Sequence, residues 1–213
     1  FSDLTKEEFV NTYLGEKGAV LTKEMKEEPI NAGFAGEVDW RTRGIITPIK
    51  NQGKCGSCWS FAATAAHETY QIQFKNQSKD VVFSEQQLVD CSTDQPYGNT
   101  GCNGGYAVRA LEYIKDFGQT INSSYPYMAV NQDCKVKTGS FRISGVSELT
   151  GCSEIDEAIH RRPMAVRVDA SNWHLYASGI FDNCQTNLNH AVFLVGSSDE
   201  AWTIKNSWSA QWG

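Results

Sequence analysis

The segment QGKCGSCW, residues 52–59, places Cys58 where a long helix is predicted to begin. Backbone N–H groups and the positive end of the helix dipole meet at such a position. Both stabilise a thiolate, which is the nucleophilic form of cysteine. An unpaired Cys58 would therefore be an activated nucleophile. It would need an imidazole to form an ion pair and later to protonate a leaving amine.

The chain has four histidines that could supply this imidazole: His67, His160, His174 and His190. The first lies inside the predicted helix, the second stands beside two arginines, and the third lies between a tryptophan and a leucine. His190 instead opens an apolar strand, and Asn206 follows the next strand. If these strands form a hairpin, the Asn206 amide can hold one ring nitrogen of His190 and orient the other toward sulfur.

The pair Cys55-x-x-Cys58 permits two other interpretations, a thioredoxin-type redox pair and half of a zinc site. A zinc site would need a second Cys/His pair at similar spacing, which the sequence does not contain. A redox pair would follow a strand in a βαβ unit, whereas this pair follows a loop that contains Pro48. We therefore expect nucleophilic catalysis without a metal or cofactor.

The elements that must position these residues change in type along the chain. Hydrophobic spacing predicts helices over 58–74 and 105–117, a third starting from a capping box of Ser84 and Gln87, and a fourth capped by Ser153. Segments rich in Val and Ile predict strands over 164–170, 190–197 and 201–205. A helical first half and a β second half predict an α+β fold of two subdomains with a cleft between them.

Composition narrows the classes of partner. The net charge is -6 and no basic stripe is present, so nucleic acid is not an expected partner. The sequence has no apolar run long enough for a membrane span. Seven cysteines allow three disulfides and one free thiol, which suits the secretory route, as do glycosylation sequons at Asn76 and Asn122.

Residues 1–34 differ from the rest because they are rich in acidic residues and lack cysteine and tryptophan. Thr5 to Glu8 is typical of a capped helix start, and a polar stretch up to Pro29 follows. This composition predicts an appended segment or linker rather than core.

The chain resembles the papain family of cysteine proteases, and within it cathepsin L more than cathepsin B. The resemblance rests on CGSCW around Cys58, on His190 and Asn206 downstream, and on the blocks VDWR, GCNGG and NSW. It implies a papain-like fold with a helical subdomain over about 46–145 and an antiparallel, barrel-like β subdomain over about 36–45 plus 146–213. The alternative is a catalytically inactive homologue that acts as a binding protein.

The same resemblance implies a role for each matching residue. Cys58 is the nucleophile, His190 the base and Asn206 its orienting partner, while Gln52 donates to the oxyanion and Trp208 shields the His190–Asn206 hydrogen bond from water. Tyr106, Ala107, Arg167 and Ala191 line the pocket for the P2 side chain. The full set of implied substrate-binding residues is Gly56, Gly104, Gly105, Tyr106, Ala107, Arg167, Asn189, Ala191 and Trp208. The implied disulfides are Cys55–Cys102 and Cys91–Cys134.

The resemblance also implies a context for the chain. Residues 1–34 match the tail of an inhibitory propeptide that is removed by cleavage between Gly33 and Glu37, leaving the peptidase domain 35–213. The chain is then a precursor fragment that lacks most of the propeptide and the C-terminal end. We expect a monomeric zymogen in a lysosome, a related acidic vacuole or the extracellular space. Its partners are protein and peptide substrates and its own propeptide.

Four residues depart from the family pattern. Ser209 replaces a glycine, which is unfavourable if the backbone there has a positive φ. Cys184 lacks its usual partner, and Cys152 can pair with it, stay free or bond elsewhere. Arg167 replaces a small or apolar residue. It either pairs with Asp169 in solvent or enters the pocket and favours acidic or polar P2 side chains.

Overall fold

The computed structural model describes residues 1–17 and 36–213. Five α-helices occur in these ranges: α1 (Lys6–Tyr13), α2 (Cys58–Lys75), α3 (Glu85–Cys91), α4 (Ala107–Phe117) and α5 (Cys152–Ile159). Four strands form one sheet: β1 (Val38–Asp39), β2 (Met164–Val168), β3 (His190–Ser197) and β4 (Trp202–Lys205). The fold is therefore α+β, with α2, α3 and α4 preceding the strands β2 to β4, as predicted.

Strand β3 organises the sheet, because it pairs in antiparallel fashion with each of the other three strands. Every residue of β3 is buried. Its first two residues, His190 and Ala191, pair with Val168 and Arg167 of β2. The predicted hairpin between β3 and β4 is present, so Asn206, which directly follows β4, lies near the start of β3.

Three predicted boundaries shift for local reasons. Helix α4 begins at Ala107 rather than at 105, because the N–H and C=O of Gly105 bond to residues 15 and 17. Strand β2 ends at Val168, where the Asp169 carboxylate turns back to accept from the Ser171 N–H. Ser153 is not a cap: α5 begins at Cys152, and the Glu154 carboxylate accepts from the Thr150 N–H instead.

The helical half and the β half of the fold are each stabilised by a cluster of buried hydrophobic side chains. Trp59, Leu88, Tyr113 and Ile114 belong to the helical cluster. The cluster beneath the sheet contains Trp40, Ile159, Val192, Leu194 and Trp208. Phe9 of α1 is fully buried in this second cluster. The prediction that residues 1–34 stay outside the core is therefore wrong for residues 1–17, because Phe9 packs against Trp208 with ring centroids 5.2 Å apart.

A buried ionic network ties the loop before α2 to the helices. The Lys50 ammonium lies 2.6 Å from the Glu68 carboxylate on α2 and 2.5 Å from the Glu85 carboxylate on α3. Thr47 donates to Glu68 and accepts from Lys205 of β4, which links the network to the sheet. Both carboxylates are almost fully buried, so Lys50 compensates two charges that would otherwise lie in a low-dielectric interior.

Backbone strain remains at Ser209, whose φ is 69°. The departure noted in the sequence is thus unfavourable, since a left-handed conformation costs a non-glycine residue about 1 kcal/mol. The N–H of Ser209 donates to the Lys50 carbonyl and fixes the turn after Trp208.

Candidate active site

Cys58 is the first residue of α2, directly after the N-cap residue Ser57. Its thiol is unpaired and fully buried. The N–H groups of Trp59, in the first turn of the helix, and of Ala191, on β3, both point at the sulfur. The distance from the Ala191 nitrogen to Sγ is 3.5 Å. The predicted nucleophile therefore lies where α2 meets the sheet.

The imidazole of His190 precedes Ala191 and is fully buried. Its Nε2 lies 2.8 Å from Oδ1 of Asn206, and that oxygen also accepts from the Ser207 N–H at 2.8 Å. Because Oδ1 is an acceptor, Nε2 carries the proton, and a neutral ring has its lone pair on Nδ1. Among the described residues, Nδ1 has no hydrogen-bond partner. His190 is thus oriented as a base.

Trp208 covers this pair. Its ring stacks on the His190 imidazole with centroids 4.6 Å apart and an interplanar angle of 25°. Trp208 itself is 3% exposed. Trp208 therefore covers one face of the His190 imidazole.

The Gln52 side chain is held rigidly beside Cys58. Its Oε1 accepts from the Ser207 hydroxyl at 2.6 Å, and its Nε2 donates to the Cys55 carbonyl at 2.9 Å. The same Nε2 donates to the carbonyl of Tyr13 at 2.9 Å. An amide donor fixed in this way can stabilise a developing oxyanion, and here a backbone carbonyl of the N-terminal segment takes that place.

Tyr13, the last residue of α1, and the non-helical residues 14–17 cross the site, and we call residues 13–17 the covering segment. Gly105 donates to the Gly15 carbonyl at 2.8 Å and accepts from the Lys17 N–H at 2.9 Å. The Glu16 N–H donates to the Asn189 carbonyl at 3.2 Å, and the Gly15 N–H points at the Cys58 sulfur. The covering segment therefore occupies backbone donors and acceptors on both walls of the cleft.

Glycines permit this close approach. A Cβ on Gly15 would lie 1.9 Å from the Gly56 carbonyl oxygen, and a Cβ on Gly104 would lie 2.7 Å from the Gly15 oxygen. Gly104 also has a φ of 103°, which side chains rarely allow. Gly56, Gly104 and Gly105 were predicted to bind substrate, and all three border the covering segment.

Glu16 inserts its side chain between the two walls and is 7% exposed. Burial raises the pKa of its carboxyl group to about 8, although the charge of Arg167 and the Ala107 N–H act in the opposite direction. The expected pairing of Arg167 with Asp169 is not present. Arg167 lies 3.5 Å from Glu148, and Asp169 instead accepts from the Ser171 and Asn187 N–H groups.

The thiolate–imidazolium pair expected from the sequence does not describe this covered state. Burial raises the pKa of the Cys58 thiol to about 12, with a further increase from the charge of Glu16. Burial also lowers the pKa of His190 to about 4, against the effect of the Asn206 hydrogen bond. The covering segment withholds water from both groups, so each is neutral at ordinary pH.

The remaining predicted residues are placed as follows. Tyr106 directs its N–H to Asn99, and its ring stacks under the Arg109 guanidinium. The disulfides Cys55–Cys102 and Cys91–Cys134 are present. Cys152 and Cys184 are exposed and unpaired. The cleavage region 33–37 lies largely outside the described residues, as does the polar stretch up to Pro29.

Neither a metal site nor a membrane span is found in residues 1–17 and 36–213. No group of three or more His, Cys, Asp or Glu side chains there could hold a metal ion. No helix in these ranges is long and apolar enough to cross a bilayer.

Sequence reasoning overlooked four participants. Tyr13, Gly15 and Glu16 lie in a part of the chain that carries no periodic or chemical signal. Ser207 was noted only as part of the NSW block, although it orients Gln52. Gly15 was the feature of this stretch from which a close backbone contact could have been expected, because glycine has no side chain.

The sequence of this chain is similar to those of known proteins. The sequence profile described as "Papain family cysteine protease" matches residues 34–213. Cathepsin L 2 of Paramecium tetraurelia is 41% identical over 222 residues, covering 100% of this chain and 68% of the relative. The cathepsin L-like proteinase of Fasciola hepatica is 39% identical over 229 residues, with 100% and 69% covered.

Two solved structures of precursors are also similar. A recombinant stem bromelain precursor has a TM-score of 0.82 and 35% identity, and the match covers 100% of this chain and 72% of that one. Digestive procathepsin L 3 of Tenebrio molitor larval midgut has a TM-score of 0.78 and 34% identity, with 100% and 72% covered.

Proposed function

Since this chain belongs to the papain family of cysteine proteases and is thus a cysteine endopeptidase, we propose that it cuts peptide bonds with Cys58 as nucleophile and His190 as base. The observation that carries this proposal is the convergence of three groups. An unpaired thiol at the start of α2, an imidazole held by Asn206 and the Gln52 amide all border the covering segment.

Catalysis proceeds in two steps once the covering segment has left. The Cys58 thiol transfers its proton to Nδ1 of His190, and the thiolate attacks the carbonyl carbon of the substrate. The Gln52 amide and the Cys58 N–H stabilise the oxyanion. His190 then protonates the leaving amine as the C–N bond breaks. This leaves a thioester, which a water molecule hydrolyses with His190 again acting as base.

We also propose that residues 1–34 are the tail of an inhibitory propeptide, of which the structure describes residues 1–17. Three observations support this: Phe9 anchors α1 beside Trp208, Tyr13 accepts from the Gln52 amide, and the Gly15 backbone acts on the Cys58 thiol by favouring its charged form. The chain is therefore a zymogen whose mature part begins after the covering segment. The similarity to two solved precursors supports the same interpretation.

A lysosome, a related acidic vacuole or the extracellular space is the proposed location. Two disulfides favour a protein that has passed through an oxidising compartment. Asn76 is exposed at the end of α2, so its sequon is open to glycosylation.

The decisive experiment is labelling with an epoxide that alkylates activated thiols. After limited proteolysis removes the covering segment, we expect stoichiometric alkylation of Cys58 and hydrolysis of a fluorogenic peptide. Cys58→Ala should lose both, while Cys152→Ala, which removes an exposed free thiol, should lose neither. An activated protein that takes up no epoxide and cuts no peptide would instead be the inactive binding homologue.

A further inference from the structure

Glu16 occupies an enclosed position within the covering segment. Its backbone is fixed by the Asn189 carbonyl and lies beside Gly105, and its side chain is 7% exposed. Among the described residues, its Oε2 has no hydrogen-bond partner. A buried carboxyl group is unfavourable unless its surroundings compensate it, and two neighbouring groups supply part of that compensation here.

The pocket does offer two favourable groups. The Ala107 N–H at the start of α4 donates to the Glu16 carboxyl group, and the positive charge of Arg167 acts on it from β2. The Arg167 side chain is only 20% exposed, so its charge is weakly screened. Glu148, whose carboxylate lies 3.5 Å from the Arg167 guanidinium, is 52% exposed.

A peptide substrate must use the same backbone partners as the covering segment. It needs its scissile carbonyl near Gln52 and Cys58, and it needs backbone hydrogen bonds to Gly105. Glu16 follows Gly15, which packs against Gly56 and whose backbone acts on the Cys58 thiol. The side chain next to the reacting residue of a substrate therefore enters the pocket that Glu16 fills here.

We propose that Arg167 makes this protease prefer an acidic P2 side chain over a branched aliphatic one. The inference rests on the proposed function, because it assigns a specificity to that same cleft. A leucine at P2 would leave the Ala107 N–H and the Arg167 guanidinium without a partner from the substrate. An acidic side chain satisfies both and displaces Glu148, whose exposed carboxylate can turn into solvent.

The first test compares two fluorogenic peptides that differ only at P2, Glu-Arg and Leu-Arg, on the activated enzyme. We expect a higher kcat/KM for Glu-Arg. Arg167→Ala should lower the Glu/Leu ratio by about tenfold, and Arg167→Lys should retain part of it. Arg41→Ala, at an arginine that is 61% exposed and pairs with Asp39, is the matched control and should leave the ratio unchanged.

Glu148→Gln should change the Glu/Leu ratio of kcat/KM values in the opposite direction. Removing the carboxylate that competes for Arg167 should raise the Glu/Leu ratio. A leucine preference that neither Arg167→Ala nor Glu148→Gln alters would overturn the proposal. Cleavage of Leu-Arg in that case would still show that the protein is a protease, so the two failures are distinguishable.

The second test does not depend on turnover. In the whole chain, a neutral maleimide is added at pH 7 and its attachment to Cys58 is followed by mass spectrometry. Relative to Glu16→Gln, whose polar side chain does not ionise, Glu16→Leu should raise the labelling rate because leucine offers no acceptor to the Ala107 N–H or the Arg167 guanidinium, and Glu16→Leu combined with Arg167→Leu should restore protection. Equal protection of Cys58 by leucine and glutamine in both backgrounds would reject the proposal, even for a protein with no activity.

Discussion

The carboxyl group of Glu16 links the covered state to pH. In the docked segment the pKa of this group is raised to about 8, whereas its ordinary value is 4.5. Between pH 4.5 and about pH 8, the Glu16 carboxyl group is protonated in the docked segment and ionised in the undocked one. Docking in this range is therefore coupled to the uptake of a proton. The contribution of Glu16 to docking is fully present below 4.5 and is lost as the pH rises toward about 8.

Glu16→Gln should remove this dependence, since an amide does not ionise. We expect Cys58 in this variant and in the wild type to be labelled by a neutral maleimide at similar rates at about pH 4.5. At about pH 7.5 the wild type should be labelled faster, by about tenfold or more. The ratio of the two rates cancels the intrinsic pH dependence of the thiol. A ratio that stays constant across this range would contradict a buried, protonated Glu16.

Sequence patterns predicted the helices and strands better than the covering segment. They gave no indication of how this segment pairs with the two walls of the cleft. Helix α2 and strand β3 could be predicted because each has a clear hydrophobic period, and the chemistry at their first residues follows from their position. The pairing of Gly15 with Gly105 joins two irregular stretches far apart in the chain. Such contacts depend on three-dimensional complementarity and leave no periodic trace.

Gly15→Ala tests whether this fit holds the segment in place. The new Cβ would lie 1.9 Å from the Gly56 carbonyl oxygen, which is a backbone atom and cannot rotate away as a side chain could. We expect Cys58 labelling in the whole chain to rise by at least about tenfold while the unfolding temperature of the peptidase part changes little. Gly145→Ala is the control, since nothing lies within 4 Å of its Cβ position. Unchanged protection in Gly15→Ala would show that the segment reaches the site in another way.

The whole molecule depends on the buried network around Lys50. This residue precedes α2, yet it joins α2, α3 and, through Thr47, the sheet. The sequence patterns predicted no structural role for Lys50. Its partners Glu68 and Glu85 resemble ordinary helix surface residues in the sequence, because charge alone does not reveal burial.

Lys50→Met should destabilise the protein by about 3–5 kcal/mol, since it leaves two buried carboxyl groups without their cation. The loss should appear as a lower midpoint in urea unfolding at neutral pH. Lys115→Met removes an exposed ammonium 3.5 Å from Asp116 and should cost less than about 1 kcal/mol. Equal midpoints for the two variants would mean that the Lys50 network does not hold the subdomains together.

The covalent attachment of residues 1–17 determines how the covered state responds to dilution of the protein. A separate inhibitor dissociates as its concentration falls, but a tethered one keeps a fixed effective concentration near the cleft. The chain therefore stays covered however dilute it becomes. After a single cut between this segment and the rest of the chain, docking becomes an ordinary bimolecular equilibrium. The freed piece then diffuses away, and the fraction of open clefts depends on the volume of the compartment.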